Sequence, residues 1–344
     1  MTVSRTLLPS GIAILAGIAA VLVLPRVIEL YTLINVTIYL SMAIFALSMA
    51  FIWGHGGILC FGQAAFFGLG AYAYAVTAIN LADSTIAVVA AIMVPALFAA
   101  ALGYFVFFGR LTDVYFGVIT LTVTLILFKL ANSTAGDVYR IGKAKLGGFN
   151  GMPDTPPLNF PFNPSWILSP EEVFTATVLA LVGAYVLCKW LIGTRFGRAV
   201  AAVRENEMRA ELLGYDSRTL KLVTFMIGSA IAGVAGMLFA TSVFVSPTVF
   251  GLSTAAQVLI WVVVGGLGTL AGPIIASILL QFLTASLGKL GWIDPNAALG
   301  TVLIGFVLLV PHGLLPLLID GLKMLTVRPS LKQTCAAAAG GRHE

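Results

Sequence analysis

The charged side chains of this sequence are concentrated in one segment, GRAVAAVRENEMRAELLGYDSRTLKL, which runs from Gly197 to Leu222. Together with Arg195 just before it, the segment holds six of the nineteen Lys and Arg residues and three of the seven Glu residues. Long apolar runs flank it on both sides. Such a mixture of acids and bases could bind a charged partner, or could keep one face of a surface helix in water.

The remaining titratable residues do not have the spacing of a catalytic or metal site. The three cysteines lie far apart in the sequence, which predicts neither a disulfide framework nor a metal centre. The phosphate-binding pattern G-x-x-x-x-G-K-[ST] does not occur. The sequence therefore predicts a protein that is not an enzyme, binds no metal or cofactor and does not hydrolyse ATP itself.

The acids are placed in a way that disfavours a proton-driven carrier. By the assignment below, all fourteen carboxylates lie in loops or at helix ends. Proton relays across a membrane generally use acids or histidines within the spans. Coupling to sodium through backbone carbonyls at broken helices remains open.

The composition is that of a helical membrane protein. Of the 344 residues, 59% are hydrophobic and only 10% are charged, whereas soluble domains carry about a quarter charged residues. Apolar runs long enough to cross a bilayer recur along the chain, and they are continuous rather than alternating. The net charge of +5 then reflects basic residues at helix ends that face the cytoplasm, with no nucleic-acid partner.

Hydropathy predicts an all-α bundle of about ten transmembrane helices in a single domain over residues 1–325. A short polar tail follows at 326–344. The predicted spans are 7–24, 31–53, 57–80, 85–108, 113–131, 171–192, 219–243, 254–265, 269–287 and 299–319. The eighth is too short to cross straight, and it ends in VVVGGLGTLAGP, from Val262 to Pro273. Non-helical backbone there must be buried in protein or line a cavity.

Basic residues set the predicted orientation. With both termini in the cytoplasm, thirteen Lys and Arg residues lie inside and six outside, as the positive-inside rule requires. The charged loop at 194–218 is then cytoplasmic, and the loop at 132–170 is external. The first run also fits a secretory signal, but both termini are cytoplasmic only if it is retained.

The charged segment itself is predicted to form two short helices. Phe196, Ala199, Val200 and Val203 follow the spacing of one helical face, which Glu207 interrupts. Asn206 could cap a second helix, and Gly214 stands where a C-terminal cap is expected. The segment is either an interfacial helix pair whose charges face water or a docking element for a soluble partner.

Five motifs, in order, resemble the branched-chain amino acid permease family, the membrane subunits of bacterial ABC importers. The resemblance covers roughly residues 30–320. The motifs are GILCFGQAAFFGLGAYAYA (Gly57–Ala75), GGFNGMP (Gly147–Pro153), the charged segment with its following helix (Gly197–Ala240), VVVGGLGTLAGPIIA (Val262–Ala276) and VPHGLLPLL (Val310–Leu318).

The resemblance implies the ten-helix fold of type II importers in a bacterial inner membrane. It also implies two ATPase subunits inside, a second permease subunit beside the chain, a solute-binding protein outside and surrounding lipid. The implied residues that couple to the ATPase are Arg198, Arg204, Glu205, Asn206, Glu207, Glu211 and Gly214. The implied residues of the translocation path are Gln63, Phe66, Phe67, Gly68, Gly70, Tyr72, Gly265, Gly266 and Gly268.

Several alternatives stay open at this point. The broken-helix motif is also similar to the urea-permease branch of the family, and the last motif departs from the family at Val310 and His312. The small residues of GILCFGQAAFFGLGAYAYA would equally serve close helix packing. A stand-alone channel for a small polar solute and a non-transporting scaffold are the rival functions.

A weak internal echo is also present. FIWGHGGIL (Phe51–Leu59) and LIWVVVGGLG (Leu259–Gly268) both carry Ile-Trp followed shortly by two glycines. Transporter folds often contain repeats, but a chance match explains this echo at least as well.

Overall fold

The computed structural model describes residues 4–109, 113–136, 139–152, 155–160, 163–290 and 300–301. These residues form a helix bundle, as predicted. The predicted tenth span, the polar tail and the motif around Val310 and His312 lie almost entirely outside the described residues. The α-helices are α1 (Ser4–Val27), α2 (Leu30–Met49), α3 (Gln63–Leu81), α4 (Ser84–Phe108), α5 (Asp113–Ser133), α6 (Pro170–Gly193), α7 (Arg195–Glu205), α8 (Glu207–Leu212), α9 (Ser217–Ser242), α10 (Leu252–Gly265) and α11 (Ala271–Leu290).

Short irregular pieces complete these elements. A π-helical turn, Ala50–His55, continues α2 and is called the π-turn below. The connection between α5 and α6 contains two small antiparallel hairpins, which the all-helical prediction did not include. Their strands are β1 (Arg140–Ile141) paired with β2 (Ala144–Lys145), and β3 (Asn159–Phe160) paired with β4 (Asn163–Ile167). One-turn 3₁₀ helices lie at Gly148–Asn150 and Pro247–Phe250.

Seven of the described helices are long and apolar enough to cross a membrane. They correspond to predicted spans two to seven and nine, and the second extends from Leu30 to His55 because the π-turn lengthens it. In the region of the first predicted span, the apolar stretch Gly17–Val27 is shorter than these seven helices. The eighth, α10, has 14 residues, which confirms the prediction that it is too short to cross straight.

The packing centre of the bundle is α9, which lies against α2, α3 and α4. Small residues allow this approach, because helices in lipid gain stability from close backbone contact rather than from apolar burial alone. A Cβ added at Gly236 would overlap the carbonyl oxygen of Phe67, and one added at Gly70 would overlap the backbone of Gly233. At these positions α3 and α9 touch backbone to backbone.

The connections fall at two ends of the bundle, in the alternation that the spans predict. At one end, Asn80 in the last turn of α3 donates to the carbonyl oxygen of Ile141, and Met152 donates its N–H to the carbonyl oxygen of Val245 after α9. At the other end, the charged segment meets the end of α2 through Arg204 and Gly54. The segment and the hairpins therefore lie at opposite ends of α9.

Replacing Gly236 by Ala is expected to destabilise the bundle. Since the new methyl group would overlap backbone rather than a flexible side chain, we expect a loss of about 1–3 kcal/mol or more. Thermal unfolding of the purified protein in detergent measures this loss. Gly183→Ala in α6 is the matched control, because nothing lies within 4 Å of its added Cβ. Equal melting temperatures for the two variants would contradict the backbone contact.

Candidate functional site

The first helix of the charged segment lies with one face on the bundle. Thr194 begins α7, and its side chain accepts a hydrogen bond from the N–H of Gly197 at 3.4 Å. Ala199, Val200 and Val203 are buried, and the helix contacts α6, α9 and the π-turn. The apolar stripe predicted from the sequence is confirmed.

Asn206 separates the two helices of the segment. Its backbone is extended, with φ −159°, so α7 ends there and α8 starts in a new direction. The Asn206 side-chain oxygen accepts from the N–H of Arg209 at 2.9 Å, which satisfies one of the free amides of the first turn. The predicted cap and the predicted change of direction are both present.

Gly214 closes the second helix. Its φ of +88° is in the left-handed region that favours glycine. The N–H of Tyr215 donates to Ala210 at 3.1 Å, and the N–H of Gly214 donates to Glu211 at 2.9 Å. These are the two hydrogen bonds of a Schellman cap, so the shape of the segment is fixed at both ends of α8.

Several charged residues of the segment have partners within this chain. Lys221 of α9 pairs with Glu207 at 2.8 Å, and the hydroxyl of Ser217 donates to Glu211 at 2.5 Å. Arg198 donates to the carbonyl oxygen of Gly193 at 3.1 Å. The first two contacts fasten α8 to the start of α9, and the third joins α7 to the end of α6. All three engage side chains that the resemblance assigns to ATPase coupling.

Asp216 caps α9 beside this junction. Its carboxylate accepts from the hydroxyl of Thr219 and from the N–H groups of Arg218 and Thr219. These bonds, led by the one from the Thr219 hydroxyl, lower the pKa of Asp216 below its ordinary value. The cap is therefore charged and formed at neutral pH, and it weakens only as the pH falls through that lowered value.

The outward side of α8 is apolar. Met208, Leu212 and Leu213 have exposed fractions of 75%, 83% and 76%, and we call these three residues the α8 apolar face. The sequence placed Met208 and Leu212 on one helical face but gave no reason to expect that face to be exposed. Exposed apolar side chains of this size next to each other are typical of a surface that another protein covers.

Among the residues predicted to line the path, Gln63 is the one polar side chain that links three helices. It begins α3, is fully buried, and donates to the hydroxyl of Ser48 on α2 at 3.0 Å. It also donates to the carbonyl oxygen of Gly228 on α9 at 3.4 Å. Its own amide oxygen has no hydrogen-bond partner among the described residues.

The other predicted path residues of α3 lie in packed contacts. The Phe66 ring is 5.1 Å from Phe225, and the Phe67 ring is 4.6 Å from Phe45, measured between ring centres. A Cβ at Gly68 would overlap Phe250, and the Tyr72 ring lies 5.4 Å from the same residue. Close packing, the alternative weighed for this motif, describes these contacts; a role in translocation stays a prediction.

The glycine break after α10 is a tight reversal. Gly266 and Gly268 have φ of +105° and +90°, and a Cβ at Gly265 would overlap the backbone of Gly272 at the start of α11. The hydroxyl of Thr269 donates to the carbonyl oxygen of Gly266 at 2.9 Å. Gly265, Gly266 and Gly268 therefore let two apolar helices approach closely across the short turn at 266–270.

The sequence of this helix bundle matches a known family. A family described as the permease component of the branched-chain amino acid transport system matches residues 28–311. The chain belongs to this family. It is a multi-pass membrane permease, as the resemblance and the hydropathy predicted.

Named relatives share the permease description. The high-affinity branched-chain amino acid transport system permease protein LivM of Escherichia coli (strain K12) is 31% identical, over 88% of this chain and 72% of its own length. LivM of Salmonella typhimurium is 29% identical over 86% and 71%. A probable LivM of Methanocaldococcus jannaschii is 28% identical over 54% of each chain. No solved structure matches this permease.

The Asn206 cap makes a direct prediction for α8. Asn206→Ala removes an N-cap acceptor, which costs about 1 kcal/mol and should speed amide exchange at residues 207–213 about fivefold. Hydrogen–deuterium exchange read by mass spectrometry measures it in the purified permease. Asn206→Asp keeps the acceptor and should exchange as the unaltered protein does. Unchanged protection in Asn206→Ala would show that α8 is held without its cap.

Proposed function

We propose that this permease imports branched-chain amino acids across a bacterial inner membrane, driven by ATP hydrolysis in two partner ATPase subunits. A second permease subunit completes the membrane core, and a solute-binding protein delivers the substrate from outside. Both termini lie in the cytoplasm, and the permease contributes no ATP-binding or catalytic site of its own. The family and the names of the relatives support the substrate class.

One observation carries the proposal: the α7–α8 segment has a fixed shape and an exposed apolar face, as a docking element would have. Caps at Thr194, Asn206 and Gly214 fix its shape, and the pair of Glu207 with Lys221 ties it to α9. In a helix pair surrounded by water alone, Met208 and Leu212 would remain as uncovered apolar surface. A surface that is rigid before binding loses little conformational entropy on docking. This property is expected of an element that the ATPase must displace.

The interior supports a neutral path rather than a charged one. Several hydroxyls buried between the described spans donate to a carbonyl of their own helix, as Thr37, Thr177 and Thr224 do. The amide of Gln63 instead links three helices, as described above. A zwitterionic amino acid would meet dipoles and hydroxyls here, so selectivity would reside chiefly in the separate binding protein.

The proposed activity is tested by reconstituting the permease into lipid vesicles with two ATPase subunits, a second permease and a binding protein from the same organism. We expect ATP-dependent accumulation of radiolabelled leucine, and no uptake of radiolabelled urea. Uptake of urea instead would assign the permease to the other branch of the resemblance. Downhill leucine flux through the permease alone would support a stand-alone channel.

The α8 apolar face is expected to hold the ATPase. Changing Met208 and Leu212 together to Ser removes two exposed anchors, each worth about 1 kcal/mol or more in an interface. Since these side chains contribute little to the fold, the variant should reach the membrane normally but co-purify about tenfold less ATPase. Quantitative pull-down through a tag on the permease measures the ratio.

The matched control for this variant is Phe149→Ser, an equally exposed apolar residue on the hairpin end of the molecule, with 77% of its surface exposed. It should leave ATPase co-purification unchanged. Equal ATPase recovery from the Met208/Leu212 variant and from the unaltered permease would place docking elsewhere.

A further inference from the structure

The two glycine-rich breaks of the permease meet at the segment end of the bundle. Gly54 lies in the π-turn that ends α2, and Gly268 lies in the reversal between α10 and α11. A Cβ added at Gly54 would lie 3.1 Å from the backbone nitrogen of Gly268, so a larger side chain at position 54 would force the two breaks apart. The two segments that share Ile-Trp followed by glycines are therefore in backbone contact at Gly54 and Gly268.

The π-turn is an irregular helix end, and its backbone N–H and C=O groups need hydrogen-bond partners. The N–H of Gly56 donates to Phe51, five residues earlier, and the N–H of Ile58 donates to Ile52, six residues earlier, at 3.1 and 3.2 Å. Wide turns of this kind inside helices are frequent at functional sites. Carbonyl oxygens at a helix end need partners outside the helix, and that of Gly54 finds one in Arg204.

Arg204, the last basic residue of α7, lies across this turn. Its guanidinium donates to the carbonyl oxygen of Gly54, where a cation also complements the negative end of the α2 dipole. Its aliphatic stem covers Gly57, whose φ is +71°, and a Cβ there would lie 2.8 Å from the Arg204 Cγ. The resemblance assigns Arg204 to ATPase docking, but this hydrogen bond is directed into the membrane bundle.

A cavity lies where the π-turn, α6 and α7 meet. Its volume is about 70 Å³, and its lining includes Phe51, Phe196, Val200 and Arg204. Packing between α7 and the π-turn is incomplete at this place. Of the hydrogen bonds in the described residues, the one from Arg204 joins them directly.

We propose that Arg204 is the positioning residue that transmits movement of the α7–α8 segment to the α10–α11 break, through the π-turn. The path runs from Arg204 to the Gly54 carbonyl and from Gly54 to the backbone of Gly268. Displacement of α7 by the ATPase pulls on a helix end that is already irregular, and this end abuts the reversal. The inference rests on the proposed function, because it requires an ATPase docked on the segment.

The experiment uses the assembled importer in lipid nanodiscs and vesicles, with Arg204→Met and Arg204→Lys in the permease. Methionine keeps the stem over Gly57 but has no donor, whereas lysine keeps a charged donor. We expect leucine uptake per ATP hydrolysed to fall about tenfold in Arg204→Met, the factor that loss of one hydrogen bond to a charged group represents. Arg204→Lys should recover most of it.

A second measurement separates transmission from mere structural support. ATP with vanadate should change hydrogen–deuterium exchange in the segment, at residues 54–58 and at residues 266–269. In Arg204→Met, the change in the segment should persist, and the changes at the two breaks should disappear. Arg195→Met is the control, since Arg195 is an exposed residue at the other end of the same helix, and we expect it to transmit normally.

The outcomes distinguish this inference from the function on which it rests. If no ATPase co-purifies with the unaltered permease, the proposed function fails. If the ATPase binds and exchange at 266–269 still responds in Arg204→Met, the function stands and the role of Arg204 is refuted. If Arg204→Met does not assemble, Arg204→Lys is tested instead. Lysine retains a donor, so loss of the exchange response at the two breaks in a normally assembled Arg204→Lys importer would also refute the role.

Discussion

Direct backbone contact between α9 and its neighbours is the constraint on which the rest of this permease depends. In lipid, an apolar side chain gains little by leaving the hydrocarbon for a protein interior, so helices are held by close packing and hydrogen bonds. Gly70 against Gly233 and Gly236 against Phe67 provide that closeness. Because α9 is fixed at the centre, the segment tied to its first turn by Lys221 and Ser217 has a rigid base.

The same requirement explains why irregular backbone is confined to a few places. Every amide and carbonyl within a membrane must be paired inside the protein. The π-turn and the α10–α11 reversal meet this demand with their own turns, with Thr269 and with Arg204. Both breaks lie at the end of the bundle that carries the charged segment, where a basic side chain is available as a donor.

Local features of the permease could be predicted from the sequence, and long-range ones could not. The two short helices, the Asn206 cap, the Gly214 cap and the broken α10 follow from side-chain chemistry within a few residues. The inward contact of Arg204, the engagement of Glu207 by Lys221 and the meeting of Gly54 with Gly268 depend on how distant helices dock. A charged residue on a short helix has the same sequence pattern whether it contacts a partner or its own chain. The resemblance therefore assigned Glu207 and Arg204 to ATPase coupling without indicating their contacts within this chain.

The distribution of polar groups fits the proposal that energy enters at the segment. Buried threonines such as Thr37, Thr177 and Thr224 are hydrogen-bonded within their own helices, so these hydroxyls neither carry charge nor join one span to another. Gln63 joins three spans but is neutral. Among the described residues, no acidic or basic side chain is fully buried. This fits the proposal that a partner displaces a helix end through a rigid and charged surface element, rather than that protonation of an interior group shifts the packing.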